Sequence, residues 1–163
     1  NRSFGKSAVK ELAKRGRKKI LMIAPPLNQN YAIEMIEGAL SESKNTSLDL
    51  NVLEEVTSDS EREDVESVVS RYISKQIGYD ALISASPNAT MAAISGIEKA
   101  GYTVGDEVDV FSKETVPFLK LFRPKILCCS EDIAKAGEFL ARSAIHAAEK
   151  REEPPMQFLD IPQ

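Results

Sequence analysis

The sequence predicts an α/β fold, a three-layer sandwich around a mostly parallel sheet. In the stretch from Asp80 to Glu114, DALISASPNATMAAISGIEKAGYTVGDEVDVFSKE, an apolar run at Ala81-Leu82-Ile83 ends in a polar stop. Met91, Ala92, Ile94 and Ile97 then recur at helical spacing as far as Ala100-Gly101, and a β-rich run follows from Val108 to Phe111. Strand, helix and strand this close together form a crossover unit, and such units make parallel strands. Ile20 to Ala24 is a continuous apolar run, as a strand requires when helices cover both its faces. Strand-like and helix-like segments alternate along the 163 residues, a length at which one domain is expected.

From the N-terminus, Ser3 to Arg15 reads as a helix with Val9, Leu12 and Ala13 on one face and Gly16 as its terminator. Arg15, Arg17, Lys18 and Lys19 then cluster. They read as a solvated helix-to-strand turn in preference to a phosphate or nucleic-acid patch. Pro25-Pro26 end the first strand, and Asn28 to Asn30 offer a cap for the next helix. Its apolar stripe is Ile33, Ile36 and Leu40, with Ala32 and Ala39 alongside. Leu48 to Val56 reads as a strand. Ser58 to Ser60 then precede a helix whose apolar face is Val65, Val68, Val69, Tyr72 and Ile73. Its acids Glu61, Glu63, Asp64 and Glu66 read as a solvated face suited to a helix N-terminus rather than as metal ligands. Gly78-Tyr79 lead into the central strand, and Pro87 or Asn88 starts the helix after it. The segment TVPFLKLF, residues 115–122, is too apolar for a simple surface loop. Lys125 to Cys129 reads as a strand and Ser130-Glu131-Asp132 as the cap of a helix running to about Glu149. That helix carries the stripe Ile133, Ala136, Leu140, Ala144 and Ala147. Arg151 to Pro155 reads as a linker and Met156 to Ile161 as a last short strand.

Composition excludes several functions. A net charge of -4 argues against a dominant DNA-binding surface in this chain, because affinity for DNA comes largely from neutralised phosphates. No apolar run approaches the roughly 20 residues of a membrane span. Cys128 and Cys129 sit side by side in an apolar run and read as reduced thiols in a strand. With no signal peptide in view, they point to the cytoplasm. The chain opens on Asn1, so the native start is expected upstream. There is no phosphate-binding loop, dinucleotide fingerprint or Cys/His metal spacing. His146 lies on the last helix, far from the predicted strand ends, and the serines have no base partner. No catalytic residue, metal or cofactor is therefore expected. A binding site is: ligands of open parallel sheets sit beyond the carboxyl ends of the strands, here Ser84 to Asn88 and Ser112 to Glu114.

The same stretch resembles the effector-binding region of LacI/GalR-type bacterial transcription regulators. The family's small-residue–Asn-Asp step corresponds to Ala85-Ser86-Pro87, its helix end to Lys99-Ala100-Gly101, and its Val-rich strand to Asp106 through Val110. The Gly-[Phe/Tyr]-Asp-Asp step falls on Ser112 to Thr115. Arg123-Pro124-Lys125-Ile126, Glu131-Asp132 and Gly137 match the later proline, Gln-Asp and glycine. The similarity spans about Phe4 to Pro162 and rests on order and spacing.

The resemblance implies a periplasmic-binding-protein-like lobe that takes a small-molecule effector, a sugar or related metabolite, and forms a homodimer. It implies that residues 1–163 are mainly the second lobe, with about 124–150 belonging to or bridging a first lobe absent from this chain. The helix-turn-helix that would bind operator DNA is likewise absent. Effector contacts are implied at Glu114, where the family has an Asp that accepts from hydroxyls, at Ser86 in place of an Asn, and at Ile133 as a pocket wall. Met35 stands where the family places an effector-binding Arg, so that planar donor is missing. The segment holding Val116, Phe118, Leu119, Leu121 and Phe122 corresponds to the dimer contact, together with the helix from Asn88 to Ala100. A sugar-binding receptor of a transport system shares the lobe fold, and a flavodoxin-like enzyme domain is a third reading.

Overall fold

In the computed structural model, residues 1–74, 78–114, 117–149 and 153–158 are described. The elements run α1 (Arg2–Lys14), β1 (Lys19–Ile23), α2 (Asn30–Thr46), β2 (Asp49–Val52), α3 (Arg62–Ile73), β3 (Ala81–Ser84) and α4 (Pro87–Lys99). They continue with β4 (Asp109–Glu114), α5 (Phe118–Phe122), β5 (Leu127–Ser130) and α6 (Ile133–Glu149). The sheet has five strands in the order β2-β1-β3-β4-β5. Every pairing is parallel, with Ile20 opposite Ala81, Ser84 opposite Ser112, and Glu114 opposite Ser130.

Parallel strands need crossovers, and the crossovers put helices on both faces. The core is accordingly in two halves. On one face α1 and α2 cover Ile20, Met22, Ile83 and Phe111 with Phe4, Val9, Leu12, Met35 and Ala39. On the other, α3 and α4 cover Leu21, Leu82 and Val110 with Val65, Val69, Ile94 and Ile97. Burying each large aliphatic side chain contributes about 1.5–3 kcal/mol, so β1 and β3, buried along nearly their whole length, anchor the sandwich.

The structure corrects several expectations. In α2 the buried stripe is Ala32, Met35, Gly38, Ala39 and Ser43, while Ile33 and Leu40 are exposed. The reason is how closely α1 and α2 approach. A Cβ on Gly38 would come within 2.2 Å of the Arg2 carbonyl oxygen, and one on Gly5 within 2.1 Å of the Met35 carbonyl oxygen. Only small residues fit at that distance, so they displace the larger stripe from the contact. Strand β2 stops at Val52, and Leu53 and Val56 bury their side chains from the loop that follows. Met156 to Phe158 are not strand; residues 159–161 lie outside the described part. Helix α6 has its expected limits, but none of its residues is buried.

The basic turn does more than meet water. Arg15 and Arg17 converge on Asp109, a wholly buried carboxylate at the start of β4. Arg15 donates Nε and Nη2 at 2.8 and 3.1 Å, and Arg17 donates Nε at 2.6 Å. Arg17 also donates to the Glu107 and Asp106 carbonyls. The Asp80 carboxylate accepts the Lys18 and Lys19 backbone N–H groups, which fixes β1 against β3.

Candidate functional site

The carboxyl ends of β3 and β4 lie side by side. Ser84 pairs with Ser112, so Ser86 and Glu114 each stand two residues beyond a matched pair. A buried hydroxyl network joins this end of the sheet to α4. Thr90 Oγ1 lies 2.7 Å from Ser112 Oγ and donates to the Ser86 carbonyl oxygen at 2.7 Å. Ser84 Oγ donates to the same carbonyl at 3.1 Å. With Ser84, Thr90 and Ser112 all fully buried, each hydroxyl needs such a partner, because an unpaired buried polar group costs about 1–3 kcal/mol.

Ser86 is the N-cap of α4. Its Oγ accepts the Ala89 N–H at 3.2 Å and donates to the Ser58 carbonyl at 3.3 Å, with Pro87 following as the first helical residue. Glu114 is 1% exposed. Its Oε1 accepts the Leu119 N–H at 2.5 Å, and its Oε2 has no hydrogen-bond partner. The Cys128 thiol is close enough to feel that carboxylate. Burial first, and then hydrogen bonding and charge from Glu114, push the thiol up to about 12. Both cysteines are free, and burial raises the Cys129 thiol as well.

The remaining residues named from sequence are spread over the molecule. Met35 is fully buried in the core half formed by α1 and α2, whereas the Cys128 side chain beside Glu114 packs on the other half. Ile133 is 58% exposed at the start of α6. In α5, Leu119 is fully buried, while Phe118, Leu121 and Phe122 are 47%, 76% and 68% exposed. The Phe118 and Phe122 rings lie 4.7 Å apart. Val116 is outside the described residues. His146 pairs with Glu153 at 3.4 Å.

Two features escaped the sequence reading. A concavity of about 550 Å³ lies below α5, lined by Tyr102, Val104, Phe122, Pro124 and Ile126 among others. Its rim carries the Arg123–Glu98 and Lys125–Asp106 ion pairs. The exposed apolar side of α6 is the other, with Ile133 and Leu140 both more than half exposed. Helical spacing had signalled the stripe, but nothing in the spacing says what covers it. Among the described residues no group of His, Cys, Asp and Glu could hold a metal ion. No described helix is long and apolar enough to cross a membrane.

Residues 9–163 match the family described as periplasmic binding protein-like domain. No curated protein sequence matches the chain. Among solved structures, the ribose operon repressor protein of Lactobacillus acidophilus aligns with a TM-score of 0.84 at 17% identity, over 99% of this chain and 60% of that one. The lac repressor bound to ONPG aligns with a TM-score of 0.83 at 15% identity, over 97% of this chain and 48% of that one. The trehalose repressor of Escherichia coli aligns with a TM-score of 0.80 at 18% identity, over 99% of this chain and 60% of that one. At these identities the likeness is one of fold, and the chain spans about half to three-fifths of the length of those proteins.

Proposed function

The chain belongs to the periplasmic binding protein-like domain family, and we propose that it is the effector-binding and dimerisation part of a LacI-type transcriptional regulator. The observation that carries the reading is the alignment of nearly the whole chain with about half of a sugar-operon repressor. In this reading a small-molecule effector, a sugar or related metabolite, binds between this lobe and a first lobe encoded elsewhere in the protein. Residues of about 124–150 bridge to that lobe, and the bare apolar side of α6 is the surface it covers. Ligand binding between lobes favours one lobe orientation, and that shifts the spacing of paired DNA-binding segments. Operator DNA is met only through those segments. The protein acts in the cytoplasm, without an enzymatic step.

For the ligand contacts we propose the ends of β3 and β4, with Ile133 as an apolar wall. Glu114 Oε2 is a carboxylate oxygen left to accept a donor. The Ser86 hydroxyl caps α4 and has one lone pair to spare. Met35 contributes no donor from its buried position, so the ligand is held with fewer polar contacts than a guanidinium would allow. The exposed Phe118, Leu121 and Phe122, with α4, form the contact with a second copy, in keeping with the rule that contiguous apolar surface marks an interface. Leu119 supports that surface from inside.

A mobility shift of the full-length protein on its operator, titrated with a panel of monosaccharides, tests the proposal. One sugar should release the DNA, and Glu114→Gln, which turns the free oxygen into an amide, should need at least about tenfold more of it. A full-length protein with no affinity for any duplex would overturn the reading.

A further inference from the structure

We infer that Glu114 is the tether that holds α5, and with it the exposed apolar cluster, against the end of the sheet. Helix α5 is five residues long, far too short to persist on its own, because helix nucleation is unfavourable and repaid only by propagation. Leu119 is its sole buried residue. Besides the buried Leu119 side chain, two polar attachments among the described residues hold it. At its exit, the Arg123 guanidinium donates to both Glu98 carboxylate oxygens on α4, at 2.8 and 3.3 Å. That ion pair is exposed and screened, and such pairs contribute little. At its start, the Leu119 N–H donates to Glu114 Oε1 at 2.5 Å, in a place closed to water. Exclusion of water makes this the stronger attachment, because a hydrogen bond is stronger in a low local dielectric.

The chemistry around Glu114 suits a tether and does not suit a residue kept for stability. Its second oxygen is buried with no partner stronger than the neighbouring Cys128 thiol, an arrangement that costs folding free energy. The neighbouring Cys128 thiol remains protonated and supplies only a weak donor. A side chain of the same length without oxygens would fill the space at lower cost, but it could not hold the Leu119 N–H. Replacing Glu114 should therefore loosen α5 selectively and leave the sheet firm. The tether stands on this geometry alone. That the surface so positioned meets a second copy rests on the association reading above.

Amide hydrogen exchange in the full-length protein reads both ends of the argument. In Glu114→Met, protection of the Leu119 amide should fall by about tenfold or more, while the Val110 amide in β4 keeps its protection. Glu114→Gln retains a carbonyl oxygen and should hold Leu119 protection within about threefold of the parent. Unchanged Leu119 protection in Glu114→Met would overturn the tether. So would parallel loss at Val110, which would make Glu114 an ordinary core residue, or equal loss in both variants. Sedimentation of the same Glu114→Met protein separates the two readings. A loosened Leu119 amide with undiminished dimer leaves the tether standing and counts against association through α5.

Discussion

Asp109→Asn is the substitution whose effect follows most directly from the coordinates. Asp109 has no solvent exposure, yet it accepts three guanidinium hydrogen bonds, at 2.8 and 3.1 Å from Arg15 and 2.6 Å from Arg17. Hydrogen bonds to charged groups contribute about 1.5–3 kcal/mol each, and neutral ones about 0.5–1.5. The asparagine keeps one acceptor oxygen and turns an amide toward a cation. Two effects reduce the loss: the charge no longer has to be desolvated, and Arg15, 39% exposed, can turn to water. The net is about 2–3 kcal/mol, or a fall in Tm of about 5–10 °C for a chain of this size. The pH dependence identifies the cause. Burial pushes the Asp109 carboxyl up, but the hydrogen bonds and charges of Arg15 and Arg17 outweigh it and hold the carboxyl below its ordinary 3.8. A depressed carboxyl stabilises the fold above the unfolded value and loses that contribution as the pH falls through the folded one. Urea unfolding of parent and variant should show the full gap at pH 7 and a closing gap below about pH 4. A constant gap down to the acid limit, or none at pH 7, would rule out the ionised Asp109 as the source of the stability.

Other outcomes follow from single contacts. With its thiol pushed up to about 12 and only half-buried, Cys128 should react with alkylating reagents at pH 8 far more slowly than an ordinary exposed thiol; labelling at the ordinary rate would contradict the shift. The same shift stabilises the fold fully below the ordinary 9.0 and less as the pH climbs toward the folded value, so unfolding should become easier above pH 9 and less steeply so in Cys128→Ala. Gly38→Ala places a methyl 2.2 Å from the Arg2 carbonyl oxygen and should destabilise by about 1–3 kcal/mol, measured by urea unfolding; a neutral effect would mean that α1 and α2 do not meet so closely. Leu121→Asp puts a charge on a side chain that is 76% exposed. It should dissociate a dimer in sedimentation and remove any dependence of Tm on protein concentration, and a parent protein that stays monomeric at high concentration would count against the interface.

The layers of the fold were legible because they rest on local period. Ile20 to Ala24 and Ala81 to Ile83 have no polar residue to offer to solvent, so they could only be strands covered on both sides. The α1–α2 contact was not legible, since it depends on Gly5 and Gly38 meeting each other's backbones, and a stripe of Ile33, Ile36 and Leu40 is the stronger apolar signal in the sequence. The Asp109 pair was hidden by separation, with its partners 94 and 92 residues away. At the candidate site, the strand ends that bring Ser86 and Glu114 level came from the pattern. What each side chain does there did not, because Ser86 turns to cap its own helix and Glu114 reaches five residues on to Leu119. The bare side of α6 has the right spacing for a core helix, and spacing alone cannot say which surface completes it.

Membership of a DNA-binding regulator requires further segments in the intact protein as its cell makes it, and its amino-acid sequence shows whether they are there. N-terminal sequencing together with intact mass should find a helix-turn-helix segment and a first periplasmic-binding-protein-like lobe ahead of Asn1. A processed secretion signal leading straight into that first lobe, with no DNA-binding segment, would make the protein a binding receptor and not a regulator.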